Sequence, residues 1–204
     1  FNLEQGMIGH WQAPEKVSKK TIMYIETGFA SEGFFFKGVK GFSNHIINTS
    51  RSLATQGFQL CIKLKPHQEG FHLIEQSLKS AGIELVSNEA FLPKLMACSA
   101  CIVETTTLAM VPTMMGMPLL LAQYGDLKSM SFGSVLTSYP RSYFLQDISG
   151  LSDILKKDAQ TSDSTKLNAW VDLNVGPLPP EKMPERVEAI VEEMIAGSNR
   201  PVLT

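Results

Sequence analysis

Long apolar runs are absent from this sequence of 204 residues. A membrane-spanning helix needs about 20 consecutive apolar residues. The longest candidate, residues 114–122, is broken by Gly116 and Pro118, so no span is expected. Cysteine is scarce: Cys61, Cys98 and Cys101 cannot complete a disulfide framework, which fits a reducing compartment. Charged residues make up 19%, below the usual share of about a quarter. With 18 basic against 20 acidic residues the net charge is −2. That argues against a nucleic-acid binder relying on bulk positive charge. No basic-then-apolar stretch precedes a small-residue cleavage site, so no signal peptide is expected.

Several short signatures are missing too. There is no G-x-G-x-x-G, no G-x-x-x-x-G-K-[ST] and no G-x-S-x-G. Nicotinamide-dinucleotide binding, P-loop hydrolysis and a nucleophile-elbow hydrolase are thereby disfavoured. Cys98 and Cys101 form a C-x-x-C, but no second pair or histidine set stands at zinc-ligand spacing. A redox pair should follow a strand and open a helix. This one ends a helix and begins a strand, so it reads as packing. His67 and His72 do not share a helical face, and His10 and His45 have no visible partner. No metal is expected.

What the chain does have is a core and an alternating pattern. Hydrophobic residues make up 44%, which excludes a disordered chain. Residues 1–20 are poorly periodic, with Pro14 and Lys16, Lys19 and Lys20, and read as a linker or docking segment. From Thr21 short apolar runs alternate with helical periodicity, the signature of βαβ units and a parallel sheet. Strands are expected over residues 21–26, 58–64, 83–86, 100–103 and 118–122. Helices are expected over 44–56, 71–81, 90–98, 107–115, 151–157, 165–171 and 184–196. Gly57 and Gly82 follow helix ends as C-caps. The fold class is therefore α/β, one doubly wound, Rossmann-like parallel sheet of five strands, with residues 21–204 as a single domain.

Ligands of open parallel sheets bind beyond the carboxyl ends of the strands. Four loops follow such ends. Glu104-Thr105-Thr106-Thr107 joins a strand to a helix start. Its three hydroxyls, the free N–H groups and the helix dipole together suit a phosphate or diphosphate. The alternative is N-capping by one threonine. Lys63-Leu64-Lys65-Pro66-His67 ends the second strand. There Lys65 can supply charge and His67 can donate to phosphate or transfer a proton, unless it is an ordinary solvated histidine. Gln123 and Asp126 suit sugar hydroxyls, or else Gly125-Asp126 is only a turn. Gly28, Ser31, Glu32 and Gly33 make a loop that a ligand can approach closely, or a flexible turn.

The stretch from Ala100 through Thr105-Thr106-Thr107 to Gly116-Met117-Pro118 and Leu121 resembles the C-terminal half of GT-B glycosyltransferases and related nucleotide-sugar 2-epimerases. In that superfamily a strand ends in a hydroxyl- or glycine-rich loop, followed by a helix, a G-x-P turn and another strand. Lys65-Pro66-His67 is similar to the basic-Pro-His element of bacterial capsule and sialic-acid-type transferases. Gln123 and Asp126 match donor-sugar positions of cell-wall N-acetylglucosaminyl transferases. Residues 21–157 carry the resemblance. One position departs from the pattern: where many members hold the donor ribose with a carboxylate, this chain has Met110 or Val111, and Glu104 is the available substitute. That departure counts against a standard UDP-sugar as donor and keeps a CMP-sugar or another donor open beside it.

The resemblance implies a nucleotide-sugar-binding domain of a metal-independent glycosyltransferase of bacterial surface polysaccharide or glycoconjugate synthesis. It implies His67 and Glu104 as catalytic residues. It implies Gly28, Lys65, His67, Thr105, Thr106, Thr107, Gln123 and Asp126 as donor-binding residues. No cofactor is expected beyond the nucleotide-sugar substrate. The alternatives are an epimerase using Glu26, Glu32 or Glu104, and a non-catalytic binding module. The resemblance places the protein in the cytoplasm, with any membrane association peripheral. The chain opens with Phe-Asn-Leu-Glu, and none of its ten methionines stands at position 1. The GT-B architecture uses two domains of ~100–200 residues each. The expectation is a donor-binding half whose N-terminal acceptor-binding partner domain is missing.

Overall fold

A computed structural model describes residues 20–29 and 33–175, and the account below concerns those residues. The expected linker at residues 1–19, loop residues Ser31 and Glu32, and the helix over 184–196 lie outside them.

Six strands form one sheet: β1 (Thr21–Ile25), β2 (Gln59–Lys63), β3 (Glu84–Leu85), β4 (Ala100–Val103), β5 (Leu119–Ala122) and β6 (Ser142–Leu145). Their order is β3-β2-β1-β4-β5-β6 and every pairing is parallel. The helices are α1 (Gly38–Thr55), α2 (Phe71–Ser80), α3 (Phe91–Met96), α4 (Met110–Met114), α5 (Ser134–Thr137), α6 (Leu151–Thr161) and α7 (Ser164–Asn174). The fold is a single α/β, Rossmann-like domain. None of these helices is long and apolar enough to cross a membrane.

Two core layers sandwich the sheet. Successive strand side chains point to opposite faces. Ile22 and Tyr24 of β1 thus join Phe42 and Ile46 of α1 and Leu151 of α6 on one face. Met23 and Ile25 join Leu95 of α3 and Trp170 of α7 on the other. A parallel sheet covered on both faces requires near-continuous apolar strands, and β1, β4 and β5 are buried along almost their whole length.

The strand count needs correction: six, not five. β6 was missed although Tyr143, Phe144 and Leu145 favour strands, because S-Y-F-L is a four-residue edge strand with only Leu145 buried. Phe144 is 49% exposed, as an edge position allows. The strand is held from outside itself, by Leu119 N–H to Arg141 O and Gln123 N–H to Leu145 O. α1 begins at Gly38, earlier than expected at 44. Gly38 and Gly41 are poor helix formers, but burial of Phe42 commits that turn to the core. The far end obeys the sequence, with Gly57 at φ +81° after Thr55. The helix expected over 107–115 is a 3-10 turn, Thr107–Ala109, running into the short α4.

Candidate functional site

Strand order reverses between β1 and β4, the place where doubly wound sheets open a crevice. The segments after β1, β2 and β4 border a cleft of about 580 Å³ there. Glu26 and Thr27 come from the first, Lys63 and Lys65 from the second, and Thr106 and Thr107 from the third.

Glu26 ties the first two segments together. It is 3% exposed and accepts from Gly28 N–H, Lys65 N–H at 2.9 Å and Gln68 Nε2 at 3.0 Å. Gly28 is needed where the two meet. Its φ is +101°, and a Cβ there would come within 2.6 Å of Lys65 Cδ. The loop is thus pressed against the Lys65 side chain.

Glu104 holds the other side of the same loop. It is fully buried and lies behind the cleft wall. It accepts from Tyr24 Oη at 2.8 Å, Thr27 N–H at 3.0 Å and Thr27 Oγ1 at 2.7 Å. Burial, aided by the nearby Glu26 carboxylate, pushes its carboxyl up to about 7 against those three hydrogen bonds. Consecutive loop residues therefore hang from two neighbouring acids, Thr27 from Glu104 and Gly28 from Glu26.

Lys63, the last residue of β2, is only 7% exposed. Its ammonium donates to the adjacent Leu64 carbonyl at 2.9 Å, and among the described residues it forms no ion pair. Burial lowers its pKa, while Glu26 and Glu89 pull the other way.

The three threonines separate in role. Thr105 Oγ1 donates to Ser131 O at 2.5 Å. Thr106 caps the 3-10 turn, accepting from Leu108 N–H at 3.3 Å. Thr106 and Thr107 line the cleft. The five-residue α4 is too short to present the dipole of a full helix.

Lys65, Thr106 and Thr107 thus come together at one cleft, with Gly28 pressed on Lys65 at its rim. His67 is exposed in the turn after β2 with φ +61° and does not border the cleft. Gln123 donates to Met130 O at 2.8 Å, and Asp126 is exposed in a 3-10 turn after β5. Neither lines the cleft. Lys63 is the cleft cation that sequence reasoning passed over in favour of Lys65. Its signal was a lysine closing an otherwise apolar strand at the ligand-binding edge. Cys98 packs its sulfur 3.9 Å from that of Cys61, and Cys101 faces Met117 at 3.4 Å, all buried. No metal-ligating cluster occurs among the described residues.

No family model matches the chain, and no curated protein matches it. Among solved structures, the apo structure of OtsA is similar over 81% of this chain and 43% of its own, at 10% identity and a TM-score of 0.43. The complex of accessory secretory proteins 1, 2 and 3 from Streptococcus pneumoniae is similar over 86% of this chain and 35% of the matched one, at 12% identity and a TM-score of 0.42. The chain spans less than half the length of either.

Proposed function

We propose that this domain binds a nucleotide sugar in the cleft through its phosphates, as the donor-binding half of a metal-independent glycosyltransferase. One observation carries the reading: the buried Lys63 ammonium stands in the cleft wall, donates only to a neighbouring carbonyl, and has no carboxylate at ion-pair distance among the described residues, although Glu26 and Glu89 act on it from farther off. A buried charge is costly unless an opposite charge compensates it. An anion in the cleft would meet Lys63 and Lys65 on one side and the hydroxyls of Thr106 and Thr107 on the other.

Such a site would act on the departing nucleotide. As the glycosidic bond to the donor phosphate breaks, negative charge grows on the phosphate oxygens. Fixed donors aimed at that charge lower the barrier. Lys63 is held by burial and Thr106 by its cap, so neither needs to reorganise during reaction. The acceptor and its base would come from a second domain, and the chain alone would bind donor but transfer little. The reading extends to surface polysaccharide or glycoconjugate synthesis in the cytoplasm. A second reading, a nucleotide-sugar 2-epimerase, is favoured by Glu26, a carboxylate at the cleft wall beside Lys63.

Calorimetric titration with UDP- and CMP-sugars tests the site. Binding that weakens in Lys63→Met and Thr106→Ala, with His67→Ala as a comparison outside the cleft, supports it. Binding indifferent to Lys63 and Thr106 overturns the assignment. Epimer formation from the donor alone would replace the transferase reading with the epimerase one.

A further inference from the structure

We propose that the cleft takes up its anionic ligand together with one proton, held by the Glu26–Glu104 pair, so that affinity falls as pH rises through neutrality. The proposal rests on reading the cleft as a phosphate site. Its ground is the way the two acids are placed. Both are at least 97% buried, and they grip consecutive residues of one loop. Glu26 lines the cleft directly, and Glu104 stands two residues before Thr106, the first of the two threonines that line it. A diphosphate ester brings two negative charges to a wall that already carries this acidic pair. Lys63 and Lys65 offset the ligand, but among the described residues no cation acts on Glu104: Tyr24 and Tyr124 are its other titratable neighbours there, and burial keeps both phenols protonated. Charge repulsion is relieved most simply by a proton on Glu104, whose carboxyl already stands at about 7 in the free protein.

Of the other titratable groups nearby, His45 does not account for the same effect and Lys63 is a rival for it. His45 of α1 packs on Tyr24 and stacks on Tyr124, with ring centroids 5.0 Å apart in the second case. Burial, opposed by Asp126, drops His45 to about 4, so it stays neutral between pH 6 and 8. Lys63 interacts with Glu26 and Glu89 and has a lowered pKa. Its loss of a proton would also weaken anion binding at high pH, so the test must separate it from Glu104.

The probe is UDP-glucose, whose phosphate ester oxygens carry no proton near neutrality, with CMP-N-acetylneuraminate in a parallel series. Calorimetry is run at pH 7 in buffers of different ionisation enthalpy, and affinities are followed from pH 6 to 8. The expected result is a fractional net proton uptake, with affinity falling by up to about tenfold per pH unit. Glu104→Gln should abolish uptake and flatten the profile. Glu26→Gln, which removes the repelling carboxylate, should lower uptake at pH 7 and serves if the first variant fails to fold. Ligand binding without proton uptake overturns the linkage and leaves the phosphate site standing. Uptake that persists unchanged in both variants assigns the proton to Lys63 and overturns the proposal. No binding of either probe overturns the site and the linkage together.

Discussion

At the amino-terminal edge of β5 and β6, Arg141 meets Asp158 through Nε at 2.9 Å and through Nη2, and gives its remaining arm to the Gly116 carbonyl. Tyr143 donates to the same carboxylate at 3.0 Å. The carboxyl-terminal edge of β1, β2 and β4 is built differently. There Lys63 donates only to a backbone carbonyl while Glu26 acts on it without an ion pair, and Glu26 lies near Glu104, whose carboxyl is displaced to about 7. Both edges bury charge, and the first ties Arg141 to Asp158 in a two-point ion pair, whereas Lys63 makes no ion pair among the described residues. A matched pair holds a strand in register. A buried cation held only by a carbonyl costs stability, and such groups cluster at functional sites. The contrast separates the scaffold edge from the edge that carries the candidate site.

Breaking the matched edge should have the largest effect. Asp158→Ala leaves Arg141 buried without its carboxylate and should cost about 3–5 kcal/mol in urea denaturation. An Arg141→Met, Asp158→Leu double variant should recover most of that loss. Nucleotide binding by the folded double variant should be unchanged.

The carboxyl-terminal edge should show itself in pH dependence. Glu104 holds its proton to a higher pH when folded than when unfolded. The folded state therefore binds more protons between the ordinary carboxyl range and about 7, and stability falls as pH rises through that window. The expected loss is about 3 kcal/mol between pH 4.5 and 7 for this fully buried group. Glu104→Gln should remove that slope, which chemical denaturation at stepped pH will check.

Lys63→Met should split stability from binding. Removing a buried cation should leave the unliganded fold as stable or more so. Nucleotide-sugar affinity should drop by about 10- to 150-fold, the range of a charge-assisted hydrogen bond. Equal losses in both would mean that Lys63 is structural and that the two edges are alike. The smallest effect belongs to Thr106→Ala, which should cost about 1 kcal/mol of stability through its lost cap and weaken binding less than Lys63→Met does.

Much of the scaffold was legible because burial on both faces leaves a plain trace. β1, β4 and β5 need apolar residues at every position, and such runs stand out from the helical periodicity between them. β6 has one covered residue, Leu145, and takes its place from bonds to β5 and from the Arg141–Asp158 pair. The position of the threonine loop at the sheet edge was legible for the same reason as the strands. The division of labour within it was not, since Thr105 is drawn away by a carbonyl 26 residues later. Sequence also put Lys65 and His67 on the same footing. The turn at Pro66–His67 carries His67 out of the cleft, while Lys63, two residues before Lys65, is drawn into its wall.

By itself the sequence determined the parallel α/β class, the strand-to-loop joints and the edge at which polar residues collect. These are local consequences of side-chain periodicity and of where the chain can turn. Tertiary structure alone decided the sixth strand, the pairing of Arg141 with Asp158, and the burial that makes Lys63 and Glu104 electrostatically unusual. Those properties depend on how much water and which charges surround a group, and both are set by segments far away in the chain.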